Sequence, residues 1–388
     1  MKSIVIFGAG KIGRGFIGQL FSESGYHIHF SEIDIGLIES LNANQSYRLL
    51  EVDNESEKHM LIKGVDANFS KLDSEIVTIL TKVSTAATAV GARNLPDVAP
   101  IFAQAIQRRM RDGLTSPLNV LICENLMNGA RIFENKICES LNKEERKFMS
   151  KTVGIVGTVV GRAVPPPPAN YADLDPSFIV VEPHRELYVT RDDFVGEIPK
   201  IQDMTITDKY DAFVSRKLYV HNCSHAILAY LGFLRGYKLS DEAIEDSYIH
   251  SFVRNAMLES SHAMNVHYSF SMIEMKQYCN DLLHRYNNHA LGDTIFRIAK
   301  DPIRKLQPDD RLVGAARMAE SAGVSPVALS VGIAAAYCFD PESDPVACEL
   351  QRMIEKSGIE KVLFEISHIN PDEDLGQLVL EEYKNLRK

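Results

Sequence analysis

The chain has 388 residues, a formal net charge of -10 and no tryptophan. This length exceeds that of one ordinary domain and indicates two. The acidic balance argues against a nucleic-acid or anionic-membrane partner, but it leaves room for a local basic pocket that binds a small anion. The six cysteines show no C-x-x-C pair and no metal-ligand spacing, which is typical of free thiols in a reducing compartment.

No targeting segment is expected, because a strand-like run begins at Ser3. The longest apolar run, 327–339, is interrupted by a serine and a glycine and is too short to span a bilayer. We therefore expect a cytoplasmic protein.

A glycine-rich loop separates the first predicted strand, 3–7, from a helical pattern over 16–21. The loop reads Gly8-Ala9-Gly10-Lys11-Ile12-Gly13. This G-x-G-x-x-G spacing between a strand and a helix is typical of dinucleotide-binding folds. Gly8 would allow the tight turn, Gly10 would let a pyrophosphate approach backbone N–H groups, and Gly13 would let helix and strand pack closely.

Glu32 follows the second predicted strand, 27–30, and lies 19 residues beyond Gly13. A carboxylate at this point would accept hydrogen bonds from both ribose hydroxyls and repel a 2′-phosphate, which predicts NAD rather than NADP as the cofactor. Val90, at the end of the predicted strand 83–89, is assigned to the same cofactor site.

The alternation of strands and helices continues and predicts a parallel sheet. The predicted strand 118–123 is almost entirely apolar and ends in Glu124 and Asn125, at the carboxyl end where such sheets bind ligands. Asn125 would either hydrogen-bond a nicotinamide or substrate hydroxyl, or cap the next helix, and the sequence leaves both interpretations open.

Three more strands are predicted at 153–160, 178–182 and 187–189. Four prolines at 165–168 predict a stiff, extended connector. Helical periodicity takes over beyond 195–203, so we predict a dinucleotide-binding domain over 1–199 and an all-helical domain over 200–388, with the substrate in the cleft between them. The predicted helices of the second domain are 242–263, 273–286, 309–321, 327–339, 345–356 and 375–386, after an opening helix that follows a capping signal at 205–208.

A lysine, an asparagine and a histidine occur at K-x4-N-x2-H spacing in an otherwise apolar helical pattern that continues to Gly232. On an α-helix, at about 100° per residue, Asn222 would lie roughly 140° around from Lys217, with His225 between them. An ammonium, an amide and an imidazole on one face suit proton transfer at a hydroxyl or carbonyl. The alternative is a solvated lysine beside a core histidine.

Basic residues concentrate further on in the chain, at Arg297, Lys300, Arg304, Lys305 and Arg311. Arginine clusters bind phosphate through paired N–H groups, so a phosphate site is one interpretation. The other is a solvated face on which these residues form ion pairs with the aspartates at 293, 301, 309 and 310.

Taken together, these segments resemble the long-chain polyol dehydrogenases over essentially the whole chain. The motifs that carry the resemblance are F-G-A-G-K-I-G-R-G-F-I-G (7–18), T-A-V-G (88–91), C-E-N (123–125), R-K-L-Y-V-H-N-C-S-H-A (216–226), A-Y-L-G (229–232), A-M-L-E-S (256–260) and R-Y-N-N-H-A-L-G-D…R…P-I-R-K-L…D-R-L (285–312). The resemblance implies a Rossmann-type domain followed by a helical domain, NAD, no metal and a monomer.

The resemblance also implies roles for individual residues. Lys217 would be the general acid/base, Asn222 and His225 would bind and polarise the reacting oxygen, and Asn125 would help at the same centre. The phosphate of a polyol phosphate, interconverted with a keto-sugar phosphate, would be held by Arg297, Arg304 and Lys305.

Two positions depart from the family pattern, which has an aspartate directly before Arg162 and another four residues earlier. This chain has Gly161 and Gly157 there, and the usual N-T-G-H stretch is Asn222-Cys223-Ser224-His225. Two alternatives stay open: an enzyme for an unphosphorylated polyol or a hexuronate, and an NAD-binding protein without dehydrogenase activity.

Overall fold

A computed structural model describes residues 2–69, 73–166 and 175–388. The chain divides into two compact units, 1–210 and 211–388. The boundary proposed from the sequence lies after residue 199. Part of the predicted proline connector, Pro167 and Pro168, lies outside the described residues.

The first unit is built on a mainly parallel sheet. Its strands, with those of a small second sheet, are β1 Lys2–Phe7, β2 Tyr26–Glu32, β3 Ser46–Val52, β4 Glu57–Lys63, β5 Val65–Phe69, β6 Thr85–Thr88, β7 Leu118–Ile122, β8 Val153–Gly161, β9 Ile179–Val181, β10 Glu186–Val189 and β11 Met204–Ile206. In the described part of the chain, the larger sheet has the order β11-β10-β8-β7-β6-β1-β2-β5. The strands from β8 to β5 pair in parallel, and β10 runs antiparallel to β8. This confirms the predicted Rossmann-type fold.

Apolar residues cover both faces of this sheet, as the almost entirely apolar run of β7 predicts; all residues of β7 are buried. The helices of the unit are α1 Gln19–Glu23, α2 Ile35–Asn44, α3 Asp73–Leu80, α4 Leu95–Arg111, α5 Gly129–Glu139 and α6 Lys143–Thr152. One core contains Ile4 and Ile6 of β1, and the other contains Val5 and Phe7 of the same strand. Alternate side chains of β1 therefore enter different cores.

The small second sheet pairs β3 with β4 in an antiparallel hairpin and with β9 in parallel. No strand was predicted over 46–63. The reason is that β4 is mostly exposed, with Ile62 as its buried residue, so it lacks the apolar alternation that identifies a strand.

The second unit is helical among the residues described. Its helices are α7 Tyr210–Arg216, α8 Cys223–Leu234, α9 Ser240–Glu245, α10 Ser247–Tyr268, α11 Met272–Tyr286, α12 Ile295–Ala299, α13 Pro302–Lys305, α14 Val313–Ser321, α15 Val327–Tyr337, α16 Pro345–Ser357, α17 Ile359–Ser367 and α18 Asp374–Leu386. Helix α15 is buried from Ala328 to Tyr337 and lies at the centre of one large core. In the described part of the chain, no helix is long and apolar enough to cross a membrane.

The single helix predicted over 242–263 is wrong. The chain breaks at Asp246, whose carboxylate accepts hydrogen bonds from the backbone N–H groups of Tyr248 and Ile249 and so caps α10. The helix predicted from 309 begins only at Val313, and α17 was not predicted.

Two short segments are π-helical: Gly13–Gly18, after the glycine-rich loop, and Lys217–Asn222. The α-helical geometry predicted around Lys217 is therefore wrong. A π turn closes between residues five apart instead of four, and such turns occur often at functional sites. Both segments contain predicted site residues: Gly13 lies in the first, and Lys217 and Asn222 lie in the second.

Candidate active site

The glycine-rich loop has the backbone that a dinucleotide requires. Gly8 adopts φ +90°, and a Cβ there would lie 2.6 Å from the carbonyl oxygen of Ala89. A Cβ on Gly13 would lie 1.9 Å from the carbonyl oxygen of Gly8. By contrast, a Cβ on Gly10 would meet no atom within 4 Å, so the space beside Gly10 is open for a pyrophosphate. These residues fit NAD.

The other predicted loop residues differ in exposure. Ala9 is buried, Lys11 is exposed and Ile12 is partly buried at the start of the π turn. The backbone carbonyl of Ala9 accepts a 2.5 Å hydrogen bond from Nε of the buried Arg14. Arg14, to which the sequence analysis assigned no role, thus stabilises the loop through this hydrogen bond.

Glu32 stands at the end of β2 and contacts the loop directly. Its Oε2 accepts a 2.7 Å hydrogen bond from the Ala9 N–H, and its Oε1 accepts bonds from the N–H groups of Ile33 at 2.6 Å and Asp34 at 3.2 Å. The carboxylate therefore links the loop to β2, and its contact with a ribose stays a prediction. The sequence motif predicted only the ribose contact.

We expect Glu32→Gln to weaken NAD binding by roughly ten- to a hundredfold, because an amide loses charge-assisted hydrogen bonds. The ratio of NADP to NAD affinity should rise at the same time, since the charge that repels a 2′-phosphate is gone. Fluorescence titration with both reduced cofactors measures this, with the exposed Glu39→Gln as a matched control. Equal affinities of the wild type for NADH and NADPH would contradict the assignment.

Glu124, at the end of β7, holds the loop that follows β6. Its carboxylate accepts a 2.6 Å hydrogen bond from the Thr88 hydroxyl and a 3.0 Å bond from the Val90 N–H. Burial raises the pKa of Glu124, against the effect of these hydrogen bonds. The sequence analysis predicted that Glu124 lies at a ligand-binding edge but assigned it no role. Its hydrogen bond to the Val90 N–H fixes the backbone position of Val90.

Asn125 is exposed at the same edge. It does not cap the following helix, because Asn128 occupies the N-cap position of α5 with φ 56°. The capping interpretation is therefore wrong, and the predicted contact of Asn125 with a ligand stays a prediction.

A carbonyl in each π turn accepts a hydrogen bond from a tyrosine hydroxyl. In the first turn, the buried Tyr47 donates to the Arg14 carbonyl at 2.7 Å, and Arg162 donates to the Gly15 carbonyl at 3.0 Å. Burial lowers the pKa of Arg162 to about 10, although the ion pair with Glu51 at 3.0 Å opposes this. Buried side chains thus satisfy carbonyl groups of the irregular turn.

The second π turn carries Lys217 and Asn222. A backbone hydrogen bond joins the Cys223 N–H to the Leu218 carbonyl, five residues earlier. Because a π turn closes between residues five apart, Lys217 and Asn222 lie on roughly the same side of the turn. His225 follows in the first turn of α8. All three are partly buried.

Tyr286 of α11 supports this turn. Its hydroxyl donates to the His221 carbonyl at 2.9 Å and lies 2.9 Å from the Ser224 hydroxyl, which in turn donates to the Val220 carbonyl at 2.6 Å. The Tyr286 ring stacks on the His225 imidazole, with centroids 4.7 Å apart and planes inclined by 5°. The position of the imidazole is therefore fixed from one face.

Asp293 faces the edge of the same imidazole. Its Oδ2 lies 3.8 Å from His225 Nε2. Arg297 donates hydrogen bonds to both carboxylate oxygens of Asp293, from Nε at 2.6 Å and from Nη2. Asp293 is buried. The buried carboxylate thus lies beside the imidazole, beyond hydrogen-bonding distance of Nε2.

The basic cluster is paired with aspartates. Besides the Arg297 pair, Arg304 contacts Asp301 at 2.8 Å and Asp310 at 3.4 Å, and Arg311 contacts Asp310 at 2.7 Å. The predicted ion pairs are therefore confirmed for the three arginines, but Arg311 is buried and does not lie on a solvated face. Whether any of them also binds a phosphate stays a prediction.

Lys305 differs from the arginines because it is buried, 3% exposed. Its ammonium donates to the carbonyl oxygens of Ala299, at 3.3 Å, and Lys300. Burial, with Arg311 and Arg304 nearby, lowers its pKa to about 7. At neutral pH the side chain is thus a weaker anion ligand than an exposed lysine.

The two glycines at positions where the resemblance implies aspartates lie on β8. A Cβ on Gly157 would lie 2.6 Å from the hydroxyl oxygen of Tyr210 and 3.0 Å from its Cζ, so the tyrosine occupies the space of a side chain. A Cβ on Gly161 would lie 3.5 Å from His184 Nε2, an ordinary contact. An aspartate would therefore fit at 161, but at 157 only if Tyr210 moved.

Comparison with known proteins identifies the family. The family model for the mannitol dehydrogenase Rossmann domain matches residues 2–203, and that for the mannitol dehydrogenase C-terminal domain matches residues 209–386. The chain belongs to the mannitol dehydrogenase family. It is 34% identical over 385 residues to mannitol-1-phosphate 5-dehydrogenase of Geobacillus stearothermophilus, covering 99% of each chain. The resemblance expected from the motifs is thus confirmed.

Two solved structures of polyol dehydrogenases have the same fold. The substrate-free form of a D-sorbitol dehydrogenase matches 99% of this chain and 93% of its own, with a TM-score of 0.84. The ternary complex of Pseudomonas fluorescens mannitol 2-dehydrogenase with NAD and D-mannitol matches 100% and 92%, with a TM-score of 0.80. Both are 18% identical to this chain, so they show the fold.

Membership of the mannitol dehydrogenase family establishes the general activity. The chain is an NAD-dependent dehydrogenase that acts on a CH–OH group. Its substrate is a small molecule. The alternative of an NAD-binding protein without dehydrogenase activity finds no support in these matches.

Proposed function

We propose that this enzyme catalyses the reversible, NAD-dependent oxidation of mannitol 1-phosphate to fructose 6-phosphate. The observation that carries the proposal is the 34% identity, over 99% of both chains, with the Geobacillus stearothermophilus enzyme of that activity. Lys217, Asn222 and His225, set on successive helical turns, support it.

In the proposed reaction, the neutral amine of Lys217 accepts the proton of the reacting hydroxyl group. The Asn222 amide and the His225 imidazole donate hydrogen bonds to the same oxygen as it becomes a carbonyl. Asn125 contributes a further hydrogen bond at that centre. NAD, when bound, supplies the acceptor for the hydride.

Asp293 and Tyr286 would act on this chemistry through His225. The stacked phenol ring and the buried carboxylate hold the imidazole in one orientation, so its hydrogen bond need not be organised during the reaction. Arg297 holds the carboxylate in turn. Arg297 would therefore bind the substrate phosphate while it keeps its ion pair with Asp293.

We propose that NAD is held by the glycine-rich loop, residues 8–13, together with Glu32 and Val90. The open space beside Gly10 supports a pyrophosphate contact there, with Ala9, Lys11 and Ile12 around it. Glu32 would accept hydrogen bonds from the adenosine ribose.

For the substrate phosphate we propose Arg304 before Arg297 and Lys305. The Arg304 side chain is 50% exposed, whereas Arg297 is held by both oxygens of Asp293, and Lys305 is buried against carbonyl groups. A guanidinium that keeps exposed N–H groups can still bind a phosphate oxygen.

The ion pairs of the basic cluster also favour a second candidate, an unphosphorylated polyol or a hexuronate. Asp293, Asp301 and Asp310 already balance the arginine charges, which reduces the attraction for a dianion.

Steady-state kinetics with mannitol 1-phosphate and mannitol distinguishes the two candidates. We expect kcat/KM to be at least about a hundredfold higher for the phosphate ester, and Arg304→Ala to remove most of this preference by raising KM. Arg352→Ala, which changes an exposed arginine on α16, serves as the matched control. Equal kcat/KM values for the two polyols in the wild-type enzyme would refute the phosphate-specific proposal.

A further inference from the structure

Two histidines and an aspartate converge on the dinucleotide-binding sheet, apart from the residues proposed for NAD and substrate. His27 and His29 lie on β2, and Asp66 lies on the neighbouring strand β5. His27 Nε2 is 2.7 Å from one carboxylate oxygen of Asp66, and His29 Nδ1 is 2.8 Å from the other. The two imidazole centroids are 4.7 Å apart.

The sheet geometry explains this convergence. Residues two apart on a strand point to the same face, so His27 and His29 share a face while Tyr26, Ile28 and Phe30 are buried on the other. Asp66 is the register partner of His29 in the parallel pair β2–β5. Rigid backbone pairing on both sides therefore places all three side chains.

The cluster is accessible to solutes. The side chains of His27, His29 and Asp66 are 27%, 20% and 35% exposed. Among the described residues, strand β5 forms one end of the sheet order. The side chains are thus held by packing but remain open to water on one side.

The chemistry of the three groups matches a transition-metal ligand set. Their ligand atoms all lie within 4.8 Å of one another, and in the described residues no other group of three histidine, cysteine, aspartate or glutamate side chains meets this condition. Zinc binds imidazole nitrogen and carboxylate oxygen at about 2.0–2.2 Å, which places tetrahedral ligand atoms roughly 3.3 Å apart. The hydrogen-bonded pairs at 2.7 and 2.8 Å need to open by only about half an ångström.

We propose that His27, His29 and Asp66 bind a divalent transition-metal ion, with Zn²⁺ as the best match. Two imidazoles and one carboxylate select Zn²⁺ over Mg²⁺ and Ca²⁺, which prefer oxygen ligands. Water completes the coordination on the exposed side. The ion links the edge strand β5 to β2 and so stabilises that edge of the sheet.

Calorimetric titration of the tag-free, full-length enzyme with ZnCl2 tests the proposal. We expect one binding site in the wild type and a loss of affinity of more than about a hundredfold in Asp66→Asn and His29→Gln. His59→Gln is the matched control, because His59 is an exposed histidine on β4 of the same unit and belongs to no such group among the described residues. Zinc should also raise the midpoint of thermal unfolding of the wild type and of His59→Gln, but not of the ligand variants.

The coordination itself is tested without any variant by loading the wild-type enzyme with Co²⁺. We expect visible absorption bands of a site with nitrogen and oxygen ligands, without the charge-transfer band that thiolate ligands produce. Zinc affinity that is unchanged in Asp66→Asn and His29→Gln, or a thiolate band in the Co²⁺ spectrum of the strongest site, would overturn the proposal.

Discussion

Replacement of Lys217 by alanine is expected to lower kcat by about two to four orders of magnitude while NAD affinity stays near that of the wild type. The amine is the group proposed to accept the hydroxyl proton. It lies on a π turn held by hydrogen bonds that its own side chain does not make, including the one from Tyr286 to the His221 carbonyl. The turn should therefore survive the substitution.

One further variant and a rescue experiment separate proton transfer from charge alone. Lys217→Arg keeps the positive charge but cannot release a proton near neutral pH, so it should be almost as inactive as Lys217→Ala. Small primary amines added to Lys217→Ala should restore part of the activity. Lys238→Ala, at an exposed lysine in the same unit, is the matched control. Loss of NAD binding with turnover intact would contradict the proposed role.

Alanine at Gly10 and alanine at Gly13 should both weaken NAD binding, but only the Gly13 variant should lose stability. A Cβ on Gly13 would lie 1.9 Å from the Gly8 carbonyl, a backbone atom that cannot turn aside. Gly13→Ala should therefore destabilise the first unit by several kcal/mol, roughly 3 or more, and abolish NAD binding. A Cβ on Gly10 meets nothing, so Gly10→Ala should leave stability within about 0.5 kcal/mol of wild type.

Gly10→Ala should nevertheless weaken NAD binding by tenfold or more, because the methyl group fills the space proposed for the pyrophosphate. Urea unfolding measures stability, and titration with NADH measures binding, for both variants in parallel. NAD affinity unchanged in Gly10→Ala would place the pyrophosphate elsewhere. Normal stability of Gly13→Ala would contradict the loop geometry.

The parts of the fold that follow from local sequence were predictable. The glycine-rich loop needs a fixed spacing of residues that permit tight turns and close approach, and that spacing is visible in the chain itself. The almost entirely apolar run of β7 likewise indicated a strand buried on both faces. These two features were sufficient to identify a Rossmann-type domain.

The π turn at Lys217–Asn222 could not be predicted from its own residues. It depends on hydroxyl groups that satisfy its carbonyls, and one of them belongs to Tyr286, 65 residues beyond His221. The spacing of apolar residues in a helix carries no information about partners so far away in the sequence. For the same reason, the stacking of Tyr286 on His225 was missed.

The basic cluster shows the limit of reading charge from sequence. Arg304 and Arg311 have aspartates within a few residues, and the sequence alone does not show whether the arginines contact those aspartates or a ligand.

The proposed metal site could not be predicted from the sequence for a related reason. His27 and His29 are visible in the sequence as an alternating pair. Asp66 comes close to them only because β5 pairs with β2, and β5 was not predicted.

Production of NADH by the wild-type enzyme, followed by absorbance with mannitol 1-phosphate as substrate, tests the central claim most directly. Mannitol and a set of hexuronates are compared at equal concentrations, and the product is identified by chromatography. The account predicts rapid NADH formation with mannitol 1-phosphate, fructose 6-phosphate as the product, and little reaction with the others. Faster turnover of an unphosphorylated polyol or a hexuronate would contradict it.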